Sequence, residues 1–153
     1  MTIYLVRHAR AGERSVWDGD DWLRPLSGRG HAQARALIDV LDSAKFEHVL
    51  SSPYVRCIET VVPLATMRGL AVEPDDALEE GAAVRGAVAL VQKHLDHGAV
   101  LCTHGDVMPA LLDYYERRGV DIGPAPQWPK GCTWVLKGDS GEVRSAKFIP
   151  APD

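Results

Sequence analysis

Cysteine is scarce in this chain of 153 residues, and its three cysteines follow no pattern. Cys57, Cys102 and Cys132 are an odd number at wide spacings. They match neither a disulfide framework nor a zinc signature built from paired C-x-x-C segments. We therefore expect three reduced thiols, mostly packed inside the protein.

Long apolar runs and an excess of positive charge are also lacking. No stretch approaches the ~18 apolar residues that suggest a membrane-spanning helix, and the run 2–6 is too short for a signal peptide. Lys and Arg number 17 against 21 Asp and Glu, so the formal net charge is -4. Such a field mildly repels nucleic acid and anionic membranes. The sequence thus predicts a cytoplasmic protein that binds neither nucleic acid nor membranes. Any anionic ligand is expected to be held by a local cluster of arginines.

The remaining composition is that of an ordinary globular chain, 46% apolar and 25% charged, and its length fits one domain over residues 1–153. Strand and helix patterns alternate along it and end in a hairpin. Strands are predicted at 3–6, 48–51, 70–72, 99–102, 132–137 and 143–149, and helices at 28–42, 53–62, 83–94 and between 105 and 119. This order predicts a three-layer α/β/α sandwich with a mainly parallel sheet.

Local signals refine these elements. Ser27 is suited to cap the helix that begins at Gly28. Pro53 suits the first turn of the next helix, and Pro63 is expected to end or kink that helix. The stretch 12–26 is predicted to be a loop long enough to be functional, with two tryptophans that either anchor it or face a ligand.

Histidine and arginine follow three of the predicted strands. Arg7 and His8 follow the first strand, Arg56 comes shortly after the second, and His104 follows the fourth. Because the carboxyl ends of parallel strands meet at one edge of a sheet, we expect these side chains to converge there.

Two histidines and two arginines suit phosphoryl transfer. Arginine offers planar, bidentate hydrogen bonds to a tetrahedral dianion, and a neutral imidazole can attack phosphorus directly. Guanidinium groups stabilise the charge on the transferring oxygens, so this chemistry requires neither a metal ion nor another cofactor.

Two other interpretations remain open at this stage. His8, His104 and acids such as Asp106 offer ligands for zinc, although a guanidinium beside a cation is electrostatically poor. The arginine cluster also suits a module that binds a phosphorylated partner without turnover, but such a module does not need both histidines.

Four segments carry recognisable motifs in a fixed order. They are Leu5–Ala9 (L-V-R-H-A), Leu26–Ala34 (L-S-x-x-G-x-x-Q-A), Ser51–Thr60 (S-S-P-x-x-R-x-x-x-T) and Thr103–Gly105 (T-H-G). Together they resemble the signatures of the histidine phosphatase superfamily, also called phosphoglycerate mutase-like, and especially its short branch around the phosphohistidine phosphatase SixA. The resemblance covers nearly the whole chain, with Ala9 where the family has Gly.

The resemblance implies roles for individual residues. His8 would be the nucleophile that becomes phosphohistidine, and Arg7, Arg56 and His104 would surround the phosphoryl group. The segment 78–81 resembles the family's "L-x-E" element, which favours Glu80 as the acid that protonates the leaving oxygen, with Glu79 as the alternative. Arg10 and Arg14, in a stretch that departs from the family pattern, either contact the ligand or are solvated charges.

The expected activity is that of a metal-independent phosphohydrolase. The insertions with which phosphoglycerate mutases embrace their substrate are missing, which argues against a mutase. The short length favours a SixA-like enzyme acting on phosphohistidine in a protein. The loop rich in arginine and tryptophan keeps a phosphorylated metabolite, such as a nucleotide or a sugar phosphate, as the alternative substrate.

Overall fold

A six-stranded mixed sheet forms the centre of the computed structural model, which describes residues 1–153. The strands are β1 (Thr2–Arg7), β2 (His48–Ser51), β3 (Val72–Pro74), β4 (Ala99–Thr103), β5 (Thr133–Asp139) and β6 (Glu142–Ile149). The helices are α1 (Gly28–Val40), α2 (Val55–Met67), α3 (Val84–His94) and α4 (Val107–Glu116). The predicted alternation of strands and helices, closed by a hairpin, is confirmed.

The order of the strands brings the predicted site together. The sheet runs β3-β2-β4-β1-β5-β6; the first four strands are parallel, and β5 pairs antiparallel with both β1 and β6. Strand β4 therefore lies between β2 and β1, with Cys102 opposite Ser51 and Thr103 opposite Arg7. The carboxyl ends of these three strands are adjacent, although they are far apart in sequence.

Helices cover both faces of the sheet. Helices α1 and α2 pack on one face around the residues Leu37, Val61, Leu64, Val49 and Val100. Helices α3 and α4 pack on the other face, in a larger core that includes Val91, Leu111, Leu5, Leu101 and Trp134. Alternate residues of β1 enter the two cores, which is the periodicity expected of a central strand. The predicted three-layer α/β/α sandwich is confirmed.

Pro53 lies before α2 and not in its first turn, and Pro63 does not end the helix. The helix begins at Val55, after Pro53, and it continues past Pro63 to Met67. A proline inside a helix costs about 3 kcal/mol. Leu64 and Ala65, which follow it, are almost completely buried, and burying one large apolar side chain contributes about 1.5–3 kcal/mol. Tertiary packing of the residues after Pro63 therefore outweighs the local cost.

Helix α2 ends at Met67, and its C-terminal cap includes Leu70, the residue at which the third strand was predicted to begin. Gly69 has φ +68°, its N–H bonds the carbonyl of Thr66, and the N–H of Leu70 bonds the carbonyl of Ala65. These two bonds form a Schellman cap, which uses Leu70 to close the helix. The strand accordingly covers 72–74 instead of 70–72.

Other local predictions agree with the structure. Ser27 caps α1, because its Oγ accepts a hydrogen bond from the N–H of Gly30 at 3.1 Å. The stretch 12–26 contains only two short 3-10 helices, Arg14–Val16 and Asp21–Leu23. The three cysteines are free and buried. None of the helices combines the length and apolar character needed to cross a membrane.

Candidate active site

The two predicted histidines meet at the carboxyl edge of the sheet. His8 follows β1 and His104 follows β4, and their ring centres lie 5.4 Å apart. Both side chains are buried, with 5% and 1% of their surfaces exposed.

The two predicted arginines belong to the same cluster. Arg56 in the first turn of α2 is completely buried and lies against Tyr54, whose ring centre is 4.7 Å from that of His104. The guanidinium of Arg7 packs on Gly105, where an added Cβ would lie 2.5 Å from its Nη2. The glycine after His104 therefore makes room for Arg7. The structure brings all four predicted residues together.

His8 is held as a neutral imidazole with one nitrogen free. Its Nδ1 lies 2.8 Å from the carbonyl oxygen of Ala9. A carbonyl only accepts hydrogen bonds, so Nδ1 carries the hydrogen and Nε2 keeps its lone pair. Burial lowers the pKa of His8 to about 3, against the effect of the Ala9 hydrogen bond and helped by the charges of His104, Arg56 and Arg7.

His104 is fixed from the side of α2. Its Nε2 lies 2.8 Å from Oγ of Ser52, which itself accepts a hydrogen bond from the N–H of Tyr54. The thiol of Cys57 is 3.5 Å from the same nitrogen. The other ring nitrogen, Nδ1, is buried and has no partner within the chain.

Unpaired polar atoms concentrate in this cluster. Five buried side-chain nitrogen or oxygen atoms lack a hydrogen-bond partner, and three of them are Nε of Arg7, Nε of Arg56 and Nδ1 of His104. An unsatisfied buried donor costs about 1–3 kcal/mol. Such a concentration is typical of a site that binds a group rich in acceptors, as a phosphoryl group is.

A chain of ion pairs fastens the 12–26 loop onto Arg56. Asp21 accepts hydrogen bonds from Arg56 at its backbone oxygen (2.9 Å) and at Oδ2 (3.1 Å). Glu80 Oε1 lies 3.5 Å from Nη2 of Arg56 and 3.2 Å from Nη2 of Arg14, and Arg14 Nε lies 3.5 Å from Asp21. Burial raises the pKa of Asp21, but a hydrogen bond from Arg24 and the charges of Arg56 and Arg14 hold it below its usual value.

A cleft of about 730 Å³ opens beside His8. Ala11 is its one apolar lining residue, and four cationic side chains line it: Arg7, Arg14, Arg24 and Lys130. Glu80 lines the cleft as well, whereas Glu79 and Arg10 do not. The lining therefore suits a polar, anionic ligand of moderate size.

The acids near the site do not form a metal-binding group. Asp106 lines the cleft, but its Oδ2 accepts from the N–H of Gly81 at 2.7 Å and its Oδ1 from the N–H of Val107 at 2.9 Å. No three side chains of His, Cys, Asp or Glu are placed to hold a metal ion together. Asp106 instead caps α4 and fixes the segment next to Glu80.

The motif residues outside the cluster act on the backbone around it. Thr60 Oγ1 accepts from the N–H of Ala9 at 2.9 Å and donates to the carbonyl of Arg56 at 2.7 Å, so it joins the nucleophile segment to α2. The methyl group of Ala9 is buried with Leu26 and Ala34 and does not line the cleft. Alanine in place of the family glycine therefore packs away from the ligand.

Helix α1 is seated on the next part of that segment. A Cβ on Gly30 would lie 1.8 Å from the carbonyl oxygen of Arg10, so only glycine permits this approach. Oε1 of Gln33 accepts a hydrogen bond from the N–H of Arg10 at 3.0 Å. The side chain of Arg10 is exposed.

Some residues of the site gave no signal in the sequence. Ser52 and Thr60 lie within a recognised motif, but the motif does not say what they bond. Asp21 is one of several acids in the loop, and its contact with Arg56 spans 35 residues. Lys130 reaches the cleft from the segment before β5.

A known protein family matches more than half of the chain. Residues 3–85 match the family described as the histidine phosphatase superfamily (branch 1). The chain belongs to the histidine phosphatase superfamily. The motif assignment made from the sequence is confirmed at the level of the family.

One curated relative aligns with almost the whole chain. It is an 8-oxo-(d)GTP phosphatase of Mycolicibacterium smegmatis, 34% identical over 157 residues that include 99% of this chain and 49% of the relative. The chain thus spans about half the length of that protein.

Solved structures show the same fold. The protein histidine phosphatase SixA, in complex with tungstate, superposes with a TM-score of 0.76 at 18% identity, covering 97% of this chain and 94% of SixA. A putative phosphohistidine phosphatase SixA from Agrobacterium tumefaciens gives 0.73 at 22% identity, covering 99% and 98%. The expected phosphoglycerate mutase-like fold is confirmed.

Proposed function

We propose that this chain is a phosphohydrolase that works through a phosphohistidine intermediate on His8. The observation that carries the proposal is the state of His8, a buried neutral imidazole with its Nε2 lone pair free. The acceptor-less N–H groups of the neighbouring residues support it, because they match a group that offers only oxygen acceptors.

The reaction has two steps. Nε2 of His8 attacks phosphorus, so a P–N bond forms while the P–O or P–N bond to the leaving group breaks. Water then attacks phosphorus, the P–N bond to His8 breaks with its electron pair returning to Nε2, and inorganic phosphate leaves. The hydrogen bond from Nδ1 to Ala9 orients the imidazole in both steps.

Three residues stabilise the transferred group. Arg7 and Arg56 offer their Nε–H groups to the phosphoryl oxygens, in addition to their positive charge. His104 offers its Nδ1, which has no partner within the chain, to a third oxygen. With this set of donors the reaction needs no metal ion, and we expect a strong chelator to leave the rate unchanged.

Glu80 is the proposed proton donor to the leaving group. It lines the cleft and its Oε1 lies 3.5 Å from Arg56, whereas the alternative, Glu79, is outside the lining. The proton is required most when the leaving group is a poor one, such as an alkoxide.

A small phosphorylated metabolite is the substrate class that we place first. The 8-oxo-(d)GTP phosphatase supports it, because it is 34% identical along almost the whole chain. The polar cleft has the volume for such a ligand. Phosphohistidine in a protein is the second class, supported by the fold shared with SixA at 18% and 22% identity.

Trapping of the intermediate tests the proposal. Radiolabelled nucleoside phosphates, sugar phosphates and a phosphohistidine protein are each mixed with the enzyme and quenched in denaturant. We expect label on the protein that is labile in acid and stable in base, and its loss in His8→Ala. His97→Ala, which removes an exposed histidine outside the cleft, is the matched control and should label like the wild type. Acid-stable label, or equal labelling of His8→Ala, would contradict the proposal.

A further inference from the structure

Lys130 is carried to the active site by a rigid turn. The N–H of Cys132 bonds the carbonyl of Pro129 at 3.1 Å, and Gly131 has φ +85°. These features define a type II β-turn over Pro129–Cys132 with Lys130 at its second position.

The turn is bonded directly to the catalytic segment. The N–H of Gly131 bonds the carbonyl of His8 at 3.0 Å, and the N–H of Arg7 bonds the carbonyl of Cys132 at 3.0 Å. Nη1 of Arg7 donates to the carbonyl of Trp128 at 2.7 Å. The backbone of Lys130 is therefore fixed on both sides relative to His8.

The other cations of the cleft already have partners. Arg14 pairs with Asp21 and Glu80, and Arg24 pairs with Asp21 at 3.0 Å and bonds the carbonyl of Gly12. In the proposed mechanism, the free donors of the catalytic cluster are taken up by the transferred phosphoryl group.

Lys130 differs because none of the acids that line the cleft, Glu13, Glu80 and Asp106, forms an ion pair with it. Its exposed side chain lines the cleft without a hydrogen bond or ion pair to the rest of the chain. Burial and then the charges of Arg7, Arg24 and Arg10 lower its pKa. Placing an ammonium among guanidinium groups costs free energy, in a chain whose net charge is negative. An anion at this point would offset that cost.

We propose that Lys130 binds a second anionic group of the substrate beside the phosphoryl group that His8 takes. This inference rests on the proposed function and names its substrate class as diphosphate esters, such as nucleoside diphosphates. His8 attacks the terminal phosphorus, the bond from that phosphorus to the bridging oxygen breaks, and the bridging oxygen leaves on the monophosphate product with a proton from Glu80. Water then attacks the phosphohistidine, and inorganic phosphate leaves. Lys130 holds the phosphate that does not transfer.

The ratio of two activities tests the inference. The values of kcat/KM for a nucleoside diphosphate and for p-nitrophenyl phosphate are measured for the wild type, Lys130→Ala and Lys147→Ala. Lys147 is an exposed lysine of β6 outside the cleft, so its variant is the matched control for loss of one charge. A charged hydrogen bond contributes about 1.5–3 kcal/mol, so we expect the ratio to fall about 10- to 100-fold in Lys130→Ala alone.

Binding gives a second readout that needs no turnover. Pyrophosphate and phosphate are titrated into His8→Ala and into the double variant His8→Ala/Lys130→Ala. We expect pyrophosphate to bind more tightly than phosphate to the first protein, and this preference to be lost in the second.

The outcomes separate the two proposals. Equal losses toward both substrates, an unchanged ratio in Lys130→Ala, or hydrolysis of the monoester without any diphosphate activity would overturn the second anion site and leave the phosphohydrolase standing. Absence of phosphate release from every substrate would overturn the phosphohydrolase. Even then, equal affinities for pyrophosphate and phosphate in both variants would refute the Lys130 site.

Discussion

At the scale of single residues, the charge state of His8 links stability to catalysis. Burial, with the neighbouring charges of His104, Arg56 and Arg7, lowers its pKa from 6.5 to about 3. A nucleophile needs its lone pair, so the same environment that keeps His8 ready to react prevents it from taking up a proton at neutral pH. The free energy of unfolding therefore falls when the solution becomes acidic, because the unfolded chain binds a proton at His8 more readily than the folded protein does.

The pH dependence of unfolding measures this loss of stability. Unfolded His8 binds a proton below about pH 6.5, whereas folded His8 does so only near pH 3, so stability falls as the pH drops between these values. We expect His8 to lower the free energy of unfolding by about 2 kcal/mol between pH 7 and pH 5. Urea denaturation of the wild type and His8→Asn at both pH values checks this, since the variant should lack that part of the loss. Parallel losses in the two proteins would show that His8 titrates alike in both states.

Single residues also differ in how well the sequence predicts their place in the site. Arg7 ends β1, and His8 and His104 directly follow β1 and β4, so the parallel sheet fixes where they meet. Asp21 and Lys130 reach the site through irregular segments, whose paths depend on contacts with distant residues. No local pattern distinguishes Asp21 from the neighbouring acids of the loop.

Among the elements, helix α1 depends on close approach to the segment after His8. Its capping serine and the hydrogen bond from Arg10 to Gln33 hold the first turn against that segment. Gly30 lies at the point of contact, and the carbonyl of Arg10 is rigid backbone. The periodicity of α1 was sufficient to predict the helix, but not that one of its glycines is a steric requirement.

Substitutions at two glycines of α1 separate the effect of the close contact with Arg10 from the general effect of alanine on helix stability. Gly30→Ala places a methyl group 1.8 Å from the carbonyl oxygen of Arg10, so we expect a loss of about 1–3 kcal/mol of stability and lower phosphatase activity. Gly28→Ala meets nothing within 4 Å and is the control, expected to be neutral or stabilising by up to about 1 kcal/mol. Thermal unfolding and phosphate-release assays measure both. Similar effects of the two substitutions would contradict the proposed close contact.

The limits of prediction at this scale lie where tertiary contacts compete with local rules. The strands around β4 and the four helices follow from apolar periodicity and turn residues. The passage of α2 through Pro63 does not, because the burial of Leu64 and Ala65 is a property of the assembled core. The use of Leu70 in a helix cap similarly displaced the third strand by two residues.

For the whole molecule, topology places the chemistry on the most protected part of the sheet. Strand β4 is completely buried, lies between β2 and β1, and carries His104 at its end. The edge strands β3 and β6 have one buried residue between them, Val143, and the 12–26 loop has only two short 3-10 turns. The two histidines thus lie on a rigid part of the sheet, whereas the loop residues that contact Arg56 lie on a segment with little regular structure.

Hydrogen exchange tests this division of stability. Each amide of β4 is bonded to either β1 or β2, and separating either strand from β4 disrupts the buried cores, so the opening free energy should equal that of global unfolding. Amides of the 12–26 loop, and those of the edge strand β6 that face away from β5, should exchange through local opening, several kcal/mol more easily. Exchange rates at each amide, compared with the free energy from denaturant unfolding, provide the measurement. If β4 exchanged as readily as the loop, His104 would not be held by a rigid part of the sheet. Its buried Nδ1 would then be free to move, and the proposed donor set around His8 would lose its fixed geometry.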